Sequence, residues 1–326
     1  MGQEMLRVLE EYDFPVTELI PVASPRSIGS KVRFKGAEHL VISLKDGLEK
    51  TPDLALFSAG GSVSREWAPK FANRGCWVID NSSAWRMDAK VPLIVPEVNA
   101  AALQDYTGKI IANPNCSTIQ LVVALAPLAE RYGLRRVVVC TYQSITGTGK
   151  KAVDQMVAER NNELAEMVYP HPIDQNCLPH CDTFQENGYT REELKVVNES
   201  RKILGLPQLR ITCTAVRVPV VGGHSEAVNV ELDQPFELHQ VRELLQNARG
   251  IRVLDTPEEN LYPMPILVHG KNETYVGRLR RDESLENGLH LWVVADNLRK
   301  GAATNSVQIA QALVKAGAIA KASLQN

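Results

Sequence analysis

Two side chains suited to nucleophilic catalysis stand where predicted strands end. Cys116 lies in the run NPNCST (113–118), between a strand ending near Ala112 and a helix starting near Ser117. A thiol at a helix N-terminus sits at the positive end of the helix dipole, which favours the reactive thiolate. His224 follows a strand that ends in Gly-Gly, where an imidazole could act as a base toward the thiol. The alternative is that both residues are structural.

Charged residues in the second half of the chain could bind an anionic or zwitterionic ligand. Arg217 falls within a predicted strand, and a buried guanidinium needs either a protein carboxylate or a substrate carboxylate as its partner. Glu192 and Lys195 are three residues apart and would share one face of a helix that starts with a Thr-x-x-Glu capping box. Periodicity alone favours a solvated face for this pair.

A cluster of histidine and cysteine has the residue types of a zinc site without its spacing. The run HPIDQNCLPHC (171–181) contains no CxxC pair, and no second pair of ligands lies nearby. We therefore predict a packed surface loop and no metal.

Length and composition narrow the class of protein. The chain has 326 residues, a net charge of −2, 44% hydrophobic and 23% charged residues. This length suggests two domains, and the near-neutral charge predicts neither a nucleic-acid nor a membrane partner. The N-terminus lacks the features of a signal peptide, and six sparse cysteines are typical of free thiols in a reducing compartment. We expect a cytoplasmic enzyme.

The order of predicted elements indicates an α/β protein followed by an α+β region. The first third alternates strands and helices, which predicts a parallel sheet that binds ligands at the carboxyl ends of its strands. Its predicted strands are residues 17–23, 54–58, 76–80, 92–95 and 109–112, and its helices are 3–11 and 64–73. After a helix at 117–132, the predicted strands are 134–142, 210–221, 227–232 and 289–295, with a loop at 169–189 and helices at 237–246 and 301–322.

Taken together, these segments resemble the aspartate-β-semialdehyde dehydrogenases over nearly the whole chain. The motifs that carry the resemblance, in family order, are SAGGS (58–62), NSSAWRMD (81–88), VPEVN (95–99), NPNCST (113–118), TYQ (141–143), EELK (192–195), RVPVVGGH (217–224) and DNLRKGAA (296–303). The resemblance implies a Rossmann-like NADP-binding domain at 1–115 with 301–326, and a catalytic and dimerisation domain at 116–300.

The family reduces L-4-aspartyl phosphate to L-aspartate 4-semialdehyde with NADPH, a step toward lysine, diaminopimelate, threonine and methionine. By resemblance, Cys116 forms a thioacyl-enzyme and releases phosphate, His224 handles the proton of the hemithioacetal, and Gln143 orients the acyl group. The resemblance further implies substrate-binding roles for Arg217 (α-carboxylate), Glu192 (α-ammonium), Lys195 and Arg86 (phosphate), and Asn115 (near the phosphate). A homodimer is expected.

Cofactor contacts implied by the resemblance fall on both predicted domains. They are Arg26, Ser27, Ala59, Gly60, Thr146, Gly147 and Asn297. The position of Arg26, after the segment predicted as the second strand of a dinucleotide-binding sheet, also suits the 2′-phosphate of NADP. Thr146 stands where the family often has Ser.

The N-terminus departs from the family pattern. A family member begins with a strand and a glycine-rich turn, whereas this chain begins MGQE, with Gly2 at the last glycine of that turn. About a dozen residues that would form the first strand and its turn are missing by this comparison. We expect a chain that starts late, through a misassigned start codon or deliberate truncation, and that binds NADPH weakly and folds poorly.

Other functions remain open at this point. N-acetyl-γ-glutamyl-phosphate reductase shares the architecture and the chemistry. A truncated homologue could be a non-catalytic interaction subunit, and a Cys-His hydrolase could use the same site.

Overall fold

The structure, a computed structural model, describes residues 1–319 and divides into two compact units. The first unit is Met1–Pro114 together with the chain from Ala302 onward, and the second is Asn115–Gly301. No helix in the described chain is long and apolar enough to cross a membrane.

Helices and strands alternate in the first part of the chain and give way to long strands after residue 134. The helices are α1 Gly2–Glu11, α2 Leu44–Glu49, α3 Gly61–Ala72, α4 Pro96–Asn99, α5 Cys116–Tyr132, α6 Lys150–Arg160, α7 Arg191–Leu204, α8 Leu238–Asn247, α9 Pro265–Val268 and α10 Thr304–Lys315. The strands are β1 Lys31–Phe34, β2 Ala37–Leu40, β3 Leu54–Phe57, β4 Trp77–Asp80, β5 Ile110–Ala112, β6 Leu134–Ser144, β7 Arg210–Val218, β8 His224–Leu232, β9 Ile251–Val253, β10 Thr274–Asp282 and β11 Gly288–Ala295.

The first unit contains a parallel sheet of the order β3-β4-β5 and an antiparallel hairpin of β1 and β2. In the parallel register Leu56 pairs with Ile79, which pairs with Ile111. Both isoleucines are fully buried, in a cluster that also holds apolar side chains of α1 and α10. Burial on both faces explains why these strands are apolar runs without alternation.

Two predicted strands of the first unit are wrong. In residues 17–23 only Val22 pairs, through an isolated parallel bridge to Ile42, and the side chains of this segment are half-buried or exposed. Residues 92–95 pair only at Leu93, and α4 begins immediately afterwards. Neither segment has a partner strand along its length, so its apolar composition did not produce a strand.

The second unit contains a six-stranded mixed sheet of the order β7-β6-β8-β11-β10-β9. β6 and β7 are parallel, and so are β9 and β10, while the central pairs are antiparallel. Helix α5 packs on β8 and β11 and lies beside α7. Along β8 the residues at even positions are buried, so that alternate side chains point toward the helical layer.

The remaining predictions for the second unit match in type but not in every boundary. The strand predicted for 210–221 ends at Val218, and the Gly-Gly turn precedes His224, which is the first residue of β8. The loop predicted for 169–189 contains neither a helix nor a strand. The predicted C-terminal helix consists of a short π-helix at Arg299–Ala303 followed by α10. Its predicted end at 320–322 lies outside the described residues.

Candidate active site

Cys116 is the first residue of α5, as the run NPNCST predicts. Asn115 caps this helix: its side-chain oxygen accepts hydrogen bonds from the backbone N–H groups of Ser117 (3.0 Å) and Thr118 (3.3 Å). The thiol therefore lies at the positive end of a helix of 17 residues, an environment that favours the thiolate. A Cβ at Gly301 would lie only 2.9 Å from the Cys116 Cβ, so the chain needs a glycine there.

Helix α7 fixes the turn in front of Cys116 through two glutamates. The Asn115 side-chain amide donates to Glu192 Oε1 at 2.7 Å, and the Asn115 backbone N–H donates to Glu199 Oε2, also at 2.7 Å. Both carboxylates are buried, and they are seven residues apart, or two helical turns. Glu199 is not among the predicted site residues, although its seven-residue spacing from Glu192 places both on one helix face.

The start of α7 is a capping box, as the sequence predicts. The Thr190 side chain accepts from the backbone N–H of Glu193, and the Glu193 side chain accepts from that of Thr190. Glu193 also accepts from the backbone N–H of Ala215 in β7 at 2.9 Å. Glu193 thus ties α7 to the sheet, which places Glu192 beside the turn at Asn115.

Glu192 is ionised although it is buried. It forms an ion pair with Lys195 (3.0 Å), and Lys195 also pairs with Asp182 (2.7 Å). Burial by itself would raise the pKa of Glu192, but Lys195 together with the amides of Asn115 and Gln143 holds that pKa below its ordinary value. Since Glu192 is only 8% exposed, the solvated face favoured by periodicity is wrong. Asp182, in the loop before α7, was also missed.

Gln143 lies near the end of β6, beside the first turn of α5. Its side-chain amide donates to Ser117 Oγ at 2.8 Å and to Glu192 Oε1 at 3.3 Å. With these two contacts Gln143 connects α5 to Glu192, and its own orientation is fixed.

His224 is fully buried and held in one tautomer. The backbone N–H of Ser144 donates to His224 Nδ1 at 2.9 Å, so the neutral ring carries its proton on Nε2. Burial, aided by the Arg217 guanidinium, lowers the pKa of His224 to about 3. Within residues 1–319, Nε2 has no hydrogen-bond partner. In this geometry the neutral His224 ring presents Nε2–H as a hydrogen-bond donor.

Arg217 lies in β7 and is 8% exposed. Its guanidinium donates to the backbone carbonyl of Ser144 at 2.7 Å and lies 5.9 Å from the ring centre of Tyr169. Arg217 Nε has no partner within residues 1–319, and no carboxylate of that part of the chain forms an ion pair with Arg217. Gly147 lies against this pair of side chains, because a Cβ there would be 3.1 Å from Arg217 Nη1 and 3.3 Å from His224 Cε1.

Asn297 has one end of its amide fixed and the other free. Its side-chain oxygen accepts from Thr146 Oγ1 (3.0 Å) and from the backbone N–H of Gly223 (3.1 Å). Its Nδ2 is buried and has no partner within the described chain. Such a donor is suited to a ligand that presents a carbonyl oxygen.

The remaining predicted site residues belong to the first unit. Arg86 is buried, and its guanidinium donates to the backbone carbonyls of Asn113 (3.0 Å) and Asn81 (2.9 Å). Arg26 and Ser27 end a single turn of 3₁₀ helix, with Arg26 exposed. Ala59 and Gly60 are exposed in the turn that leads into α3, where Gly60 has a φ of 86°.

The histidine–cysteine loop has no metal-site geometry. No group of three or more His, Cys, Asp or Glu in residues 1–319 is arranged to hold a metal ion. His180 stacks on Phe184 with ring centres 4.3 Å apart, Cys177 is exposed, and burial raises the pKa of Cys181 to about 11. These are properties of a packed loop.

Family models and known proteins match most of the chain. A family model described as the semialdehyde dehydrogenase NAD binding domain matches residues 1–106, and the semialdehyde dehydrogenase dimerisation domain matches residues 125–300. The aspartate-semialdehyde dehydrogenase of Aquifex aeolicus is 52% identical over 98% of this chain and 96% of its own length. That of Bacillus subtilis is 46% identical over 97% and 94%, respectively.

Solved structures agree in fold. The aspartate semialdehyde dehydrogenase II of Vibrio cholerae, complexed with ASA, has a TM-score of 0.93 at 45% identity, covering 96% of this chain and 95% of that one. The Candida albicans enzyme with NADP has the same fold, with a TM-score of 0.76 at 24% identity over 98% and 96% of the two chains. The predicted resemblance and the predicted fold class, a Rossmann-like domain followed by an α+β domain, are confirmed. The chain belongs to the aspartate-semialdehyde dehydrogenase family of oxidoreductases.

Proposed function

We propose that this chain converts L-4-aspartyl phosphate to L-aspartate 4-semialdehyde with NADPH, through a thioacyl-enzyme on Cys116. The observation that carries the proposal is the state of Arg217, a buried guanidinium with no protein carboxylate as counter-ion in residues 1–319. A buried charge needs a partner, and the α-carboxylate of the substrate supplies a bidentate one.

The amino group of the substrate has a matching site on Glu192. A carboxylate offers about four lone-pair positions. Asn115, Gln143 and Lys195 occupy three of them. The fourth accepts the α-ammonium, so that an Arg217–Glu192 pair binds the zwitterionic end of an amino acid.

Phosphate binding uses the remaining capacity of the cations. The Lys195 ammonium has three donors, of which two are directed at Glu192 and Asp182, leaving one for the acyl phosphate. Arg86, in the first unit, is proposed to bind phosphate, and Asn115 is proposed to lie near the phosphate. Charge neutralisation of the leaving phosphate is the electrostatic part of the reaction.

Cys116 performs the covalent step. Its thiolate attacks the acyl carbon, the Sγ–C bond forms, the C–O bond to phosphate breaks, and phosphate leaves. NADPH, when bound, supplies the hydride that reduces the thioester. His224 Nε2–H donates a hydrogen bond to the oxygen on which negative charge develops, as a neutral imidazole can do. Collapse of the hemithioacetal then breaks the Sγ–C bond and regenerates Cys116.

The residues present fit a nicotinamide cofactor, and we propose that it is NADP. The match to an NAD-binding domain supports the cofactor class. In the second unit, Asn297 Nδ2 is a buried donor without a partner in residues 1–319, and it would hold the carboxamide, with Thr146 and Gly147 beside it. In the first unit, Arg26 is exposed and follows the Val22 bridge, where a cation suits a 2′-phosphate.

Ser27 and the turn at Ala59 and Gly60 are also proposed to contact the cofactor. The enzyme would act in the biosynthesis of lysine, diaminopimelate, threonine and methionine. All six cysteines are free thiols, which supports a reducing compartment and hence the cytoplasm.

The test is phosphate-dependent reduction of NADP in the presence of L-aspartate 4-semialdehyde. We expect activity in the parent and a loss of about 1,000-fold or more in Cys116→Ala, since the nucleophile of the covalent step is removed. Cys177→Ala, which changes an exposed cysteine, is the matched control and should keep parental activity. An active Cys116→Ala variant would contradict the thioacyl mechanism.

A second assay separates the rival substrate. The comparisons do not favour N-acetyl-γ-glutamyl-phosphate reductase. An N-acetylated substrate has no ammonium for Glu192, so we expect turnover with aspartate semialdehyde and none with N-acetylglutamate semialdehyde. The reverse preference would contradict the proposal.

We further propose that the open face of the six-stranded sheet forms the homodimer interface. The match to a dimerisation domain supports a dimer. On this face lie side chains that are apolar and only half-buried, among them Val138, Val216 and Trp292, with Tyr142 packed 5.5 Å from the Trp292 ring. Val138→Asp should shift the sedimentation coefficient from dimer to monomer, and an unchanged dimer would rule out this face.

A further inference from the structure

A second polar cluster lies on the helix-covered face of the sheet, next to His224. Glu226 follows His224 by two residues in β8, so both side chains point toward α5. Thr141 in β6 is the register partner of Glu226, and Gln120 lies in α5, one turn after Cys116. We call Gln120, Thr141 and Glu226 the lower polar layer.

The lower polar layer is completely buried and poorly satisfied. All three side chains are 0% exposed. Within residues 1–319, neither carboxyl oxygen of Glu226 has a hydrogen-bond partner, and neither do Gln120 Oε1 and Thr141 Oγ1. The Gln120 amide does have one contact, because its Nε2 donates to the backbone carbonyl of His224 at 3.3 Å.

Burial in this position disfavours the charged form of a carboxyl group. Burial raises the pKa of Glu226 well above its ordinary value, and the nearby Gln120 amide opposes the rise only in part. No positively charged side chain in residues 1–319 shifts the pKa of Glu226: its register partners are Thr141 and Val293, and the Gln120 side chain is close to it. The buried Cys213 thiol in β7 also lies within electrostatic reach of Glu226. A neutral carboxyl group has an O–H donor, and Gln120 Oε1 is an acceptor that lacks one.

We propose that Glu226 is a protonated acid that donates its hydrogen bond to Gln120 Oε1, and that this acid–amide pair positions His224 for the reaction proposed above. In this arrangement the pair fixes the Gln120 amide, and its Nε2 holds the main chain at His224. The Ser144 N–H holds the imidazole from the other side. Glu226 and Gln120 are thus positioning residues, and they do not touch the substrate.

The protonation state is tested by infrared spectroscopy of the whole protein at pH 8. We expect the parent to show the C=O stretch of a carboxylic acid that shifts in D₂O and is absent from Glu226→Gln. Glu231→Gln, on the same strand, is the matched control. In the parent, the Glu231 carboxylate pairs with Arg135 at 3.3 Å and gives no acid band, so the band of Glu226 should remain in this variant. Identical acid bands in the parent and Glu226→Gln would overturn the proposal.

The positioning role is tested by kinetics of two variants. Glu226→Gln keeps a donor for Gln120 Oε1 and should retain kcat within about twofold, whereas Glu226→Leu removes the donor and should lower kcat about tenfold with KM for aspartate semialdehyde nearly unchanged. Parental kcat in Glu226→Leu, or an equal loss in both variants, would overturn the role.

If the Glu226→Leu chain does not fold, the Glu226→Gln variant decides. The proposal then stands only if Glu226→Gln is active and lacks the acid band. The infrared result does not depend on turnover. An inactive parent that shows the acid band would therefore contradict only the proposed function. An active parent without the band would contradict only the proposal that Glu226 is a protonated acid paired with Gln120.

Discussion

Glu192 and Glu226 are both buried carboxyl groups in the second unit, but their surroundings favour opposite protonation states. Glu192 has Lys195 at 3.0 Å and hydrogen bonds from two amides, and its pKa is lowered. No cation within residues 1–319 pairs with Glu226, and burial raises its pKa. The difference shows that burial alone does not decide charge, because a cation and hydrogen bonds within reach can outweigh desolvation.

The contrast divides the polar groups of the second unit by task. The region around Glu192 keeps its charges, which suits the binding of a charged substrate. The region around Glu226 is neutral, so no negative charge is added beneath the helix N-terminus at Cys116, where a thiolate has to be stable. Three variants probe this division.

The largest effect is expected from Lys195→Met. Removing one partner of a buried ion pair leaves Glu192 uncompensated, which should cost about 3 kcal/mol of unfolding free energy and reduce kcat/KM about 100-fold. Urea denaturation at pH 8 and pH 5 measures this. The loss should shrink at pH 5, because the unpaired Glu192 then takes up a proton. Lys195→Arg is the control that keeps the charge, and an equal loss at both pH values would contradict the pairing.

An intermediate effect is expected from the pH dependence of Glu226→Gln. Because the pKa of Glu226 is raised in the folded state, the folded parent binds more protons than the unfolded chain. The contribution of Glu226 to the unfolding free energy is therefore lost as the pH rises from the pKa of an ordinary glutamate toward the pKa of folded Glu226. The slope from this one group is at most about 1.4 kcal/mol per pH unit. Glu226→Gln should lack this slope, so that its unfolding free energy rises relative to that of the parent as the pH rises. Parallel stability curves would show that Glu226 is not neutral.

The smallest effect is expected from Glu231→Gln. Glu231 pairs with Arg135 and Arg210, whose side chains are 52% and 65% exposed. Solvent-exposed ion pairs contribute about 0.2–1 kcal/mol, and salt screens them. Chemical denaturation should therefore show a loss near 0.5 kcal/mol that disappears in high salt. If Glu231→Gln lost as much unfolding free energy as Lys195→Met, the proposed difference between buried and exposed ion pairs would be wrong.

Short-range features were predictable from the sequence. The turn before Cys116, the start of α5, and the capping box of α7 depend on residues within four positions of one another. The alternation of apolar residues in β8 also indicates which of its polar side chains are buried. His224 and Glu226 occupy the same alternate positions as Val228, Val230 and Leu232, which are core residues, so a buried acid could have been expected.

Long-range contacts were not predictable. Residues 17–23 have the composition of a strand, but a strand also needs a neighbour along its length, and only Val22 has one. Glu199 reaches Asn115 across 84 positions, and Ser144 reaches His224 across 80. No local pattern marks such contacts, because they arise when separate elements pack.

The order of the amino acids is enough to show which reactive groups this protein carries: a thiol at a helix start, an imidazole after a Gly-Gly turn, and charged residues in a recognisable family order. The state of these groups came from three-dimensional packing. It set the tautomer of His224 through a backbone N–H, left Arg217 without a protein counter-ion in the described chain, and separated a charged Glu192 from a neutral Glu226. The physical reason is that pKa and hydrogen bonding depend on distance and burial, which exist only after distant segments have packed together.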